Sequence, residues 1–121
     1  TFPENAALTV DGQVAAAKLI AHHVTFTFAS KQPVPGSWAG LGFYNWAFAD
    51  LEDDIFEYTG RPPSGMPASA AIYIGCDESR VHIARCIFRR LAGPAIEANS
   101  CQKWAELGNV VQGQTLCRKR K

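Results

Sequence analysis

The chain carries three histidines and scattered acids and arginines whose types, if brought together, support proton transfer. A His or Glu base, a His acid and an Arg or Lys facing a phosphorane are the parts of a small ribonuclease, and His22, His23, His82, Glu57 and Arg85 supply those residue types. No motif arranges them: G-x-S-x-G, H-E-x-x-H, the P-loop and the dinucleotide glycine fingerprint are all absent. His22 and His23 are adjacent, which in a helix turns them about 100° apart, an arrangement better suited to a helix C-terminus than to one metal ion. Five carboxylates fall between Asp50 and Glu57. In a helix Asp50, Asp54 and Glu57 share a face, but acids in a first helical turn already answer the dipole, and no calcium-loop glycine accompanies them. Neither a metal nor a cofactor is expected.

The cysteines suggest a different kind of chemistry. Cys76, Cys86, Cys101 and Cys117 all lie in the C-terminal part, with no C-x-x-C pair, so two disulfides in an oxidising compartment are favoured over zinc. Secretion is the working expectation. The opening TFPENAAL has no basic-then-apolar layout, which fits a mature chain or a cytosolic one.

These residues need elements to hold them. With 121 residues and 47% of them apolar, the chain suits one domain over 1–121, its basic end at 118–121 free to be disordered. No uncharged apolar run reaches membrane-spanning length. Residues 71–75, with Ile72, Tyr73 and Ile74, read as an interior strand. Residues 79–92 read as a helix whose apolar arc is Val81, Ala84, Ile87, Phe88 and Leu91, with Arg85 and Arg89 on a basic face. Further helices are expected over 11–22, 50–59 and 95–107, strands over 24–29 and 110–116, and a short first strand over 7–10. No internal repeat is visible. Helices over one face of a mostly antiparallel sheet give an α+β two-layer sandwich, ferredoxin-like or split-βαβ, tied by two disulfides.

Helix geometry selects the cysteine pairing. Cys76 and Cys86 are about 13 Å apart along a strand and helix, too far to bridge. A helical hairpin about Gly93 and Pro94 levels Cys86 with Cys101, which leaves Cys76 for Cys117.

Gly75-Cys76-Asp77, Arg85-Cys86-Ile87-Phe88, Cys101 and Cys117-Arg118 together resemble small fungal killer toxins, and are similar in layout to secreted effectors of plant-pathogenic fungi. The resemblance covers about the last 50 residues. It implies a secreted, non-enzymatic protein acting on a host or competitor cell through a protein partner or host target. The aromatic connector 30–48 supplies the candidate contact residues Trp38, Tyr44 and Trp46, to which Arg85 and Arg89 add charge. Eight of twelve basic residues lie between Arg80 and Arg90 or at the C-terminus; without RNP-type motifs they do not favour nucleic acid. Oligomeric state is left open, and the alternative remains a small secreted ribonuclease-like enzyme.

Overall fold

The computed structural model describes residues 7–9, 13–15, 18–28, 32–43, 47–60, 70–75, 80–98, 107–113 and 115–119. Every regular element among them is a β-strand. In chain order these are β1 (Ala7–Thr9), β2 (Gln13–Ala15), β3 (Lys18–His22), β4 (Thr25–Thr27), β5 (Gly40–Phe43), β6 (Phe48–Glu52), β7 (Ile55–Glu57), β8 (Ile72–Ile74), β9 (Arg80–Ala84), β10 (Ile87–Arg89), β11 (Ile96–Ala98), β12 (Val110–Val111) and β13 (Cys117–Lys119). They pair in parallel into three sheets: sheet I runs β1-β4-β7-β10-β12, sheet II contains β2-β5-β8-β11-β13 in that order, and sheet III is β3-β6-β9. A chain that returns to the same side after each circuit, pairing only with the circuits before and after it, is a parallel β-solenoid.

The α+β expectation is therefore overturned. The described residues hold no helix and no antiparallel ladder, so neither a two-layer sandwich nor a ferredoxin-like order remains. Residues 80–91 show why. Val81 and Ile83 point inward from β9, the chain turns a corner at Arg85 and Cys86, and Phe88 points inward from β10. Two period-two strands separated by a two-residue corner place apolar residues at spacings that imitate one helical face. Ile87, assigned to that face, is instead exposed, and Cys86 is buried.

The corner between sheets III and I gives the fold its regularity. It is two residues long each time: His23-Val24, Asp53-Asp54 and Arg85-Cys86, with Gly108-Asn109 before β12. The first residue is left-handed in all four, with φ of 57°, 57°, 53° and 79°. The second is buried in all four. Backbone bonds step from coil to coil through these corners: Asp53 N–H donates to the Ala84 carbonyl, and Ile87 N–H to that of Asp54.

Inside the coils, side chains in register stack on their own kind. Phe26, Phe56 and Phe88 of sheet I pile with ring centroids 4.7 and 5.0 Å apart and planes within 7° and 11°. Leu41, Ile72 and Ile96 form the matching column of sheet II, and Ala21, Leu51 and Ile83 that of sheet III. Close approach at the sheet II entry demands Gly40: a Cβ there would sit 2.5 Å from the carbonyl oxygens of Ala70 and Ala71, at φ +93°.

Of the two expected disulfides, the one at Cys86 falls, whereas Cys117 is disulfide-bonded. Cys86 is a free, buried thiol in a corner, so the pairing of Cys86 with Cys101 does not form and a two-disulfide framework is excluded. Cys76 and Cys101 lie outside the described residues, and with Cys76 the proposed bridge to Cys117. Arg118 and Lys119 of the basic end belong to β13, where Arg118 pairs with Glu97.

Candidate functional site

Strand alternation decides which side chains of sheet III face solvent. In β6 the sequence Phe-Ala-Asp-Leu-Glu buries Ala49 and Leu51 and turns Phe48, Asp50 and Glu52 outward. Parallel register then aligns three rows across successive coils: Lys18, Phe48 and Arg80; Ile20, Asp50 and His82; and the outward His22 and Glu52, whose third register partner, Ala84, is buried. The adjoining corner adds His23, Asp53 and Arg85. All three histidines of the chain thus reach one ledge with three of its acids.

The contacts on this ledge are short and shared. His22 Nε2 lies 3.2 Å from Asp50 Oδ2 and 3.1 Å from Glu52 Oε2. The other Glu52 oxygen, Oε1, accepts from Arg85 at 3.0 Å and lies 3.9 Å from His82 Nε2. Arg85 also donates to both oxygens of Asp53, at 3.0 and 3.3 Å, and the His23 ring is 3.8 Å away from Asp53. The Arg85 hydrogen bond holds the Asp53 carboxyl below its usual range. Asp50 Oδ1 is buried without a partner.

Beneath the ledge, corner side chains point into the solenoid and form a second ladder. Asn109 Oδ1 accepts from the Cys86 N–H at 3.0 Å, while its Nδ2 donates to the Ile83 carbonyl at 2.9 Å. Two corners earlier in this sequence, Asp54 Oδ1 accepts from the Val24 N–H at 2.8 Å, and Oδ2 is buried with no partner. Burial pushes this carboxyl up to about 7. Burial likewise pushes the Cys86 thiol up to about 12; its Sγ lies 3.5 Å from the Ala84 carbonyl, so it behaves as a core group and not as a nucleophile.

The sequence-derived candidates are dispersed. Trp38 is fully buried, its Nε1 donating to the Glu57 carbonyl at 2.7 Å; it pins the connector over β7 and presents no contact surface. Tyr44 and Trp46 lie outside the described residues. Arg89 is on sheet I, bonded to Glu57 at 2.8 Å, and Arg85 is on the ledge, so they share no basic face. Of the ribonuclease set, His22, His23, His82 and Arg85 meet on the ledge, whereas Glu57 is buried on another sheet. Asp50, Asp54 and Glu57 diverge onto sheet III, the corner and sheet I. The missed partners are Asp50 and Glu52 with His22. Their signal was the five-residue alternation 18–22, 48–52 and 80–84, each followed by a two-residue corner.

Fold and site together define a parallel β-solenoid with a mixed imidazole, carboxylate and guanidinium ledge on one flat face. No family model, curated protein or solved structure matches the chain. Among the described residues no helix is long and apolar enough to cross a membrane.

Proposed function

We propose that the protein is a binding module whose working surface is the outer face of sheet III, and that its ligand is an extended, polyhydroxylated chain, that is, a glycan. The observation that carries this reading is the alternation along β6, which sets an exposed aromatic ring, Phe48, in line with the carboxylates of Asp50 and Glu52. The ring offers an apolar platform to the C–H face of a sugar, and the neighbouring groups accept from and donate to its hydroxyls. Neighbouring coils repeat about every 4.8 Å, so a chain crossing the strands meets successive rows without a deep pocket.

Charge argues against RNA as the ligand of the strip formed by Asp50, Glu52 and the corner residues Asp53 and Arg85, which lies apart from the Lys18, Phe48 and Arg80 row. Asp50, Glu52 and Asp53 outnumber Arg85, and the guanidinium already bonds Asp53 and Glu52, leaving it poorly placed to receive a phosphate. Binding to a panel of soluble neutral polysaccharides, read by affinity electrophoresis, is the test. Retardation of the wild type by at least one of them, lost in Phe48→Ala, supports the reading; equal retardation of the variant, or none of the wild type, rejects it. Release of reducing ends in the same panel would make the surface catalytic, with His82 beside Glu52 as the proton-transfer pair.

A second surface favours the reading as an interaction protein with a protein partner. Ile55, Ile87 and Val110 form an outward column on sheet I, the last two 38% and 53% exposed. Ile87→Glu combined with Val110→Glu should abolish capture of such a partner while leaving glycan retardation intact; capture equal to wild type would remove this surface from consideration.

A further inference from the structure

We propose that His22, Asp50 and Glu52 form a binding site for one divalent transition-type ion of the zinc or manganese class, with Nε2, Oδ2 and Oε2 as its ligands. The three residues come from two adjacent coils, and one ligand atom from each lies within 4.8 Å of the others. The inference concerns the same ledge but does not rest on glycan binding.

Spacing is the first argument. Ligands about 2.1 Å from a metal, at angles between about 90° and 110°, stand about 3.0 to 3.4 Å from each other. The His22 nitrogen is 3.2 and 3.1 Å from its two carboxylate oxygens. Hydrogen bonding accounts poorly for both distances, because a neutral imidazole has one N–H and two acceptors compete for it. With the proton on Nδ1, Nε2 offers a lone pair instead of a proton, and the three electron-rich atoms, all within 4.8 Å of one another, then repel until a cation joins them.

Charge and donor type supply the second. The trio carries two negative charges, which a divalent ion neutralises, and the imidazole selects a borderline metal over calcium or magnesium. Arg85 binds only the far oxygen of Glu52, at 3.0 Å, so it orients the carboxylate without occupying Oε2. His82 approaches that same far oxygen and is not a ligand. All three ligand residues are partly exposed, so an ion can enter and keep solvent in its remaining positions.

The probe is Zn²⁺ alone, titrated calorimetrically into the full chain, with Mg²⁺ as the counter-ion control. Expected are one equivalent of zinc, at least tenfold weaker binding in His22→Ala and Asp50→Asn, and affinity within about threefold of wild type in His82→Ala, all variants retaining the wild-type circular dichroism spectrum. Imidazole ¹⁵N spectra supply a readout in the unaltered protein: zinc should shift Nε2 of His22 and leave His82 in place. No stoichiometric binding at 100-fold preference over Mg²⁺, zinc retained in His22→Ala, or a shift at His23 or His82 in place of His22 would each overturn the assignment.

Discussion

Two clusters of acids and arginines, one on sheet I and one on sheet III, use the same residue types to opposite ends. On sheet I, Glu57 is buried and its donors converge: Thr27 Oγ1 gives to Oε1 at 2.9 Å, Arg89 Nε to Oε2 at 2.8 Å, with Arg90 at 3.5 Å and its guanidinium over the Tyr58 ring. Each oxygen of that carboxylate has a partner. On sheet III three carboxylates share a single arginine and three imidazoles, one nitrogen faces two acceptors, and Asp50 Oδ1 has no partner. A saturated cluster closes a surface, because a buried charge survives only when paired. An under-supplied one at the surface leaves room for something from solution.

The contrast can be broken most forcefully from the sheet I side. Arg89→Ala leaves Glu57 buried with only Arg90 and Thr27, and should cost about 2–3 kcal/mol in urea unfolding, less than the full loss of a buried pair because Arg89 is partly exposed. An unchanged midpoint would make Glu57 as peripheral as the ledge acids.

Asp54 sharpens the contrast from underneath the ledge. The folded protein holds its proton to about 7, whereas the unfolded chain releases it near 3.8. Between those values the native state binds more protons, so this group's contribution to stability falls as pH rises through the window. Asp54→Asn should raise stability at pH 8 by on the order of 2 kcal/mol and flatten the pH dependence between 4 and 7. The new Nδ2 takes a donor role like that of Asn109, which gives to the Ile83 carbonyl. A variant less stable than wild type at pH 8 would mean that the charged carboxylate is wanted.

Smaller effects follow at two corner residues. Cys86→Val puts in the place of the thiol the side chain that Val24 supplies two turns of the ladder away, and should change stability by less than about 1 kcal/mol; native Cys86 should resist alkylation until the chain unfolds. Arg85→Gln, on the exposed side of the same corner, should leave the urea midpoint within error while loosening Glu52 and so weakening zinc binding several-fold.

How far the chain announced this structure varies by segment. Residues 24–29 alternate plainly, and β4 with the buried Phe26 lies there; residues 71–75 contain β8, an interior strand between β5 and β11. Those readings rest on β-branched and aromatic residues in period two. The helices expected over 50–59 and 79–92 fail because each spans two strands joined by a two-residue corner, which shifts the inward phase much as a helix would; 11–22 holds β2 and β3, and 95–107 holds β11, with 99–106 outside the described residues. Repetition was hidden for another reason. Successive coils advance by 18, 30, 32 and 23 residues along sheet I because the connectors vary, so only strands and corners recur. The ledge was illegible as a site because His22, Asp50 and Glu52 belong together only once parallel register is known.

The division of the two clusters is tested most directly by one matched pair, Glu57→Gln and Glu52→Gln, each measured for melting temperature and for zinc affinity by calorimetry. It predicts that Glu57→Gln melts well below wild type and binds zinc within about threefold of it, while Glu52→Gln melts near wild type and binds at least tenfold more weakly. Glu52→Gln melting as low as Glu57→Gln, or binding zinc as tightly as wild type, would contradict the division of the two clusters into a structural one and a working one.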